Sequence, residues 1–133
     1  MDPQGAQHLH FSGQAHSTLI TRRCGGVTIV GVVGRLTLED GGAATLREHV
    51  RQQLAAGNRN ILVDLSCCDY IDTAGLGELA TALIRIRTDG GRFTLFGATR
   101  RVRALLRASR LLYVFEMFDN EAHARAALGE PLA

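Results

Sequence analysis

Six consecutive residues, Asp72-Thr73-Ala74-Gly75-Leu76-Gly77, carry the most distinctive chemistry of the chain. Beyond them Leu76, Leu79, Ala80, Leu83 and Ile84 recur at i, i+3, i+4, i+7 and i+8, which predicts a helix beginning near Thr73 or Ala74. Thr73 then sits at the helix mouth. There the first N–H groups lack intrahelical partners and the dipole is positive, so a capping oxygen is favoured and an added phosphate would be too. Capping by Asp72 or Thr73 accounts for both polar residues without any function. It does not account for Gly75 and Gly77, since each glycine costs ~1 kcal/mol relative to alanine inside a helix. A close approach to the backbone at this spot would explain them.

Other candidate groups are weaker. Cys24, Cys67 and Cys68 are odd in number and lack C-x-x-C spacing, which suits a reducing compartment. No basic residue flanks the Cys67-Cys68 pair to lower a thiol pKa, so both read as small loop or core residues. Asp64 interrupts an apolar run, and a hydrogen bond to a neighbouring loop is its simplest use. His8, His10 and His16 have no accompanying cysteine or carboxylate cluster, and His49 and His123 stand alone on predicted helices. Neither a metal nor a cofactor is expected. Arg100, Arg101, Arg103, Arg107 and Arg110 form a basic helix, read first as a solvated face and second as a surface for an acidic partner.

The elements that must position Thr73 follow from pattern. Ile61, Leu62, Val63 and Leu65 read as a strand buried on both faces, hence part of a sheet covered by helices. Ser17 to Cys24 and Val27 to Leu38 are rich in Thr, Val and Ile, and Gly25-Gly26 between them predicts a hairpin. Asp40 is the expected N-cap of a helix with Ala43, Leu46, Val50 and Leu54 on its apolar face, closed at Ala56-Gly57-Asn58. Arg92 to Gly97 alternates as a strand, and Arg100 to Ser109 is a helix with Val102, Leu105 and Leu106 inward. Tyr113 to Phe118 is a short strand or extended turn, and Asn120 caps a last helix through Leu128. The expected fold is α/β, a mixed sheet with helices packed on it.

At 133 residues with 46% hydrophobic and 21% charged content, one domain with an ordinary core is expected. Residues 1–16 read as a flexible N-terminal tail, 17–128 as the domain and 129–133 as a C-terminal tail. The formal charge of +2 is too small by itself to argue for nucleic acid, and the basic helix lacks interleaved aromatics, so direct nucleic-acid binding is not expected. No basic-then-apolar leader and no run of ~18 apolar residues is present, so neither a secretory signal nor a membrane span is expected and the protein is placed in the cytoplasm.

Several stretches in order, Val63-Asp-Leu-Ser, Ile71-Asp-Thr-Ala-Gly-Leu-Gly, Gly90-Gly-Arg-Phe-Thr-Leu-Phe-Gly, Val102-Arg-Ala-Leu-Leu and Phe115-Glu-Met-Phe-Asp-Asn-Glu-Ala, resemble the STAS domain of bacterial anti-sigma factor antagonists. The resemblance covers roughly residues 17–128. It implies a STAS fold with a mixed β-sheet of four to five strands and about four helices, and no catalytic role. It implies binding to an anti-sigma factor that is a serine kinase, release of the sigma factor, and reversal of phosphorylation by a phosphatase. Because Ala74 occupies the second hydroxyl position of the family's D-[ST]-[ST]-G-L motif, the implied phosphate acceptor is Thr73. The implied partner surface is Thr37, Asp72, Thr73, Ala74, Gly75 and Leu76, on a monomer or weak dimer. Where the family commonly reads G-E-L-D this chain has Gly34-Arg35-Leu36-Thr37, which alters the charge a partner meets there.

Two alternatives stand beside this reading. A STAS subunit docked on an ABC-type phospholipid-transport ATPase also carries a D-T-x-G-L motif, with Thr73 as a contact residue. A small enzyme or nucleotide-binding protein would use the helix mouth as an anion site, but the chain has no G-x-x-x-x-G-K-[ST] loop and no placeable Ser/His/Asp or Cys/His arrangement.

Overall fold

The computed structural model describes residues 10–14 and 17–129. Ten elements follow one another: β1 (His10–Gln14), β2 (Ser17–Cys24), β3 (Val27–Leu36), α1 (Gly42–Ala55), β4 (Asn60–Ile71), α2 (Thr73–Thr88), β5 (Arg92–Phe96), α3 (Arg100–Ala108), β6 (Glu116–Phe118) and α4 (Glu121–Ala127). All six strands join one mixed sheet in sequential order. The β1–β2 and β2–β3 pairs are antiparallel, the second joined by a turn at Gly25-Gly26, whereas β3–β4, β4–β5 and β5–β6 are parallel. Parallel neighbours need a crossover, and α1, α2 and α3 supply the three.

The expected α/β class holds, with six strands in place of four to five. The additional strand, β1, lies inside the stretch read as a tail. It pairs with β2 from His10 opposite Thr21 to Gln14 opposite Ser17, and this backbone ladder needs no hydrophobic period to form. The three histidines considered as metal ligands have side chains outside the described residues.

Alternate residues of β4 divide the core. Ile61, Val63 and Leu65 join Leu46 and Val50 of α1, Leu79, Leu83 and Ile86 of α2, and Val102 and Leu106 of α3 on one face. Leu62 faces the other way with Val27, Ile29, Phe96 and Ala124 of α4. Helices on both faces are what the consecutive apolar residues Ile61, Leu62 and Val63 of β4 require. An ion pair from Arg22 to Glu121, 2.5 Å, ties β2 to α4.

Past Leu65 strand β4 continues through polar residues, because its register against β3 slips twice, between Gly31 and Val33 and between Gly34 and Arg35. At each slip β4 carries one residue more than β3, the signature of a β-bulge, which bends the strand and re-aims its side chains. Asp64 sits beside the first bulge and accepts hydrogen bonds from the Ser66 N–H (2.9 Å) and hydroxyl (2.7 Å). The bonds stay within β4, two residues along the strand, and do not reach the neighbouring loop that the sequence suggested.

The first helix begins differently from expectation. Gly41, at φ 81°, is the N-cap of α1 and no side chain caps it. The Asp40 carboxylate turns away to accept the Thr37 hydroxyl at 2.8 Å, with Arg35 3.7 Å away. A left-handed glycine reverses the chain here, which leaves Asp40 free for the loop.

Candidate functional site

The second bulged half of β4 delivers Ile71 to the core and Asp72 to the start of α2. Asp72 is the N-cap: its Oδ1 accepts the Gly75 N–H at 2.8 Å. Its Oδ2 accepts the Leu38 N–H at 3.0 Å from the loop between β3 and α1. One carboxylate thus staples two segments that are 34 residues apart. Asp72→Ala removes both bonds, and loss of a helix cap alone costs about 1 kcal/mol. We expect Asp72→Ala to lose about 1–2 kcal/mol in urea unfolding, with Asp72→Asn intermediate because its amide keeps one acceptor oxygen. Equal stability of all three proteins would show that the staple carries no load.

Gly75 is buried against the end of β3. A Cβ there would lie 2.1 Å from the Leu36 carbonyl oxygen and 2.8 Å from Ile71 Cγ2. The close approach anticipated from the glycine is therefore made by the chain itself. Gly42 repeats the arrangement at the mouth of α1, where a Cβ would lie 2.6 Å from the Arg35 carbonyl oxygen. Both helices are seated on the same strand end through a missing side chain. Gly77 is exposed, and a methyl added there would have nothing within 4 Å.

Of the six residues expected on a partner surface, Thr73 is exposed and Asp72 and Ala74 are half-buried. Thr37, Gly75 and Leu76 are buried, at 6% exposure for Thr37 and 8% for Leu76. The Thr37 hydroxyl donates to Asp40 and accepts its N–H at 3.1 Å, so Thr37 shapes the loop from within. Sequence reasoning missed Leu38, which is 71% exposed and bonded through its N–H to Asp72, next to Thr73 in the chain. An apolar residue just past the end of a strand was the available sign.

It also missed a cleft of about 480 Å³ beside the helix mouth, lined by Arg35, Thr37, Glu39, Asp40, Asp69, Tyr70, Asp72 and Arg101. Arg101 lies over the Tyr70 ring, 5.6 Å from its centroid, and so closes the cleft from the α3 side. No group of three or more His, Cys, Asp or Glu side chains could hold a metal ion among the described residues.

The adjacent cysteines part company. Cys67 is exposed and Cys68 is fully buried. Burial pushes the Cys68 thiol up to about 11, against an ordinary value of 9.0. A group whose pKa is raised on folding stabilises the fold fully below its unfolded value and loses that contribution as pH rises towards the folded one. The domain should therefore lose stability between pH 9 and 11, by on the order of 2–3 kcal/mol from this thiol. Cys68→Ala should flatten that slope in unfolding curves taken across the window. An unchanged slope would place the loss elsewhere.

A six-stranded mixed sheet with helices on both faces, its distinctive residues at a capped helix mouth, defines a small α/β domain. The family model of the STAS domain matches residues 18–124. The chain belongs to the STAS domain family. Among solved structures, a Thermotoga maritima protein described as an anti-sigma factor antagonist superposes with a TM-score of 0.73 at 23% identity, covering 83% of this chain and 93% of that one. An anti-sigma factor antagonist from Mycobacterium paratuberculosis gives 0.71 at 22% identity over 86% and 95% of the two chains. The Bacillus cell fate determinant SpoIIAA in its phosphorylated form gives 0.61 at 13% identity, over 92% and 100%. No helix among the described residues is long and apolar enough to cross a membrane.

Proposed function

We propose that this chain is an anti-sigma factor antagonist: it binds an anti-sigma factor that is a serine kinase, displaces the sigma factor, and is switched off by phosphorylation of Thr73 and restored by a phosphatase. The observation that carries the reading is the exposed Thr73 at the first position of α2, on a mouth held by the Asp72 staple and the Gly75 seat. Structural likeness to proteins described as anti-sigma factor antagonists, and to SpoIIAA solved in a phosphorylated form, supports the same reading.

The physical logic of the switch is local. The reachable surface beside Thr73 carries exposed Arg35, Leu38 and Glu39 and half-buried Ala74, an apolar knob among charges at the edge of a polar cleft. Phosphate adds about −1.5 to −2 charges at Thr73. The N-terminal end of α2 tolerates that charge, so the fold is kept while the surface changes. A partner that buries Leu38 must then also desolvate or repel a dianion.

The test is capture of partners from a native lysate by unmodified protein and by a Thr73→Glu variant. Retrieval of a kinase-type anti-sigma factor by the first and not the second supports the reading. Retrieval of a transport ATPase by both, with no phosphate transfer, would replace it with the alternative role.

A further inference from the structure

Residues 98–115 hold five arginines and no carboxylate. Arg100, Arg103 and Arg107 are spaced i, i+3 and i+7, so they share one face of α3, while Val102 and Leu106 are fully buried on the opposite side. Arg103 reaches Asp119 at 3.5 Å. Arg100, Arg107 and Arg110 are exposed and have no carboxylate partner among the described residues. The acids of the neighbouring elements are engaged elsewhere, Glu116 with Arg92 and Glu121 with Arg22 and Arg125.

The turn that directly follows α3 in the chain exposes apolar bulk. Arg110 takes a left-handed conformation, φ 66°, and its backbone N–H donates to the Arg107 carbonyl at 3.0 Å, which closes the turn at the end of α3. Leu112 and Phe115 are anchored in the core at 8% and 6% exposure. Between them Tyr113 is 91% exposed and Val114 43%. The anchors on either side hold the ring out from the surface.

We propose that the outer face of α3 and its following turn form a reversible docking surface for an anionic lipid bilayer. Charge complementarity is the first ground: unpaired arginines attract anionic headgroups, each worth about fivefold in partitioning near such a surface. Shape is the second. A ring 91% exposed is a knob that lines no groove, so it suits a surface that yields around it, and tyrosine is at home at the membrane–water boundary. A nucleic-acid strand would call for a succession of stacking rings, and this face offers one. The contact is independent of the Thr73 reading.

The 133-residue chain is sedimented with vesicles of phosphatidylcholine alone or with added phosphatidylglycerol, at low and high salt. Binding is expected only to the anionic vesicles and should fall steeply as salt screens the arginines. R107E/R110E should weaken it at least tenfold, R107K/R110K should retain it, and Tyr113→Ala should weaken it severalfold at unchanged charge. These side chains are exposed, and matching thermal melts establish that each variant folds. Thr73→Glu should bind vesicles like the unsubstituted protein, which separates this surface from the switch. Equal binding to both vesicle types, no binding, or full binding by R107E/R110E overturns the proposal. So does tighter saturable binding to a single-stranded oligonucleotide or to polyglutamate than to anionic vesicles.

Discussion

Gly75→Ala should destabilise the domain by about 3 kcal/mol, whereas Gly77→Ala, two residues further along the same helix, should stabilise it by up to about 1 kcal/mol. The new methyl at position 75 would stand 2.1 Å from the Leu36 carbonyl oxygen and 3.0 Å from the carbonyl carbon. Backbone atoms of a central strand cannot rotate aside as the end of a side chain would. Relief therefore requires α2 to lift off β3, which breaks the Asp72 N–H bond to the same carbonyl (3.3 Å) and loosens the Leu76 packing beneath it. At position 77 a methyl meets nothing within 4 Å and merely reduces the freedom of the unfolded chain. Urea unfolding of the two variants and the parent decides the matter. Equal stability of Gly75→Ala and the parent would mean that α2 is not seated on the Leu36 carbonyl.

The second large effect concerns binding. With the cognate kinase and ATP, the unsubstituted chain should gain the mass of one phosphate and Thr73→Ala should gain none, with thermal stability of the two chains nearly the same. A phosphorylated chain should bind its partner about a hundredfold more weakly, which needs a difference of only ~2.8 kcal/mol. One buried or repelled dianion beside Leu38 can supply that. Thr73→Glu should give part of the loss, since it carries less charge than phosphate. Phosphate on Thr73→Ala, or undiminished binding by the phosphorylated chain, would remove Thr73 from the switch.

The elements read most readily in the sequence are those fixed by local chemistry. The hairpin at Gly25-Gly26 lies between β2 and β3, the helix at Thr73 starts where its apolar period starts, and the Asn120 side chain accepts the His123 N–H at 2.9 Å as a cap should. Features that depend on register were out of reach. The two bulges of β4 hide a strand behind Ser66, Cys67 and Asp69, which have no alternation to show. The oddity of Gly75 was visible, but its cause lies with Leu36, 39 positions earlier in the chain and placed only by the β3–β4 pairing. Asp40 was a plausible cap by type, and only the positive φ of Gly41 shows that its carboxylate serves the loop. The cleft draws residues from β3, β4, α3 and the β3–α1 loop, so no single stretch announced it.

Asp72 spends both oxygens joining the loop after β3 to the start of α2. These two segments therefore behave as one hard rim and not as two adaptable arms. On the proposed reading a visitor would find the same backbone contour each time, which would leave discrimination among rival visitors to the exposed side chains mounted on it, Arg35, Leu38 and Glu39 above all. Transplanting those few side chains between relatives that share the Asp72 clasp is thus the economical way to redirect such a module, with no loop grafting and no redesign of the scaffold beneath.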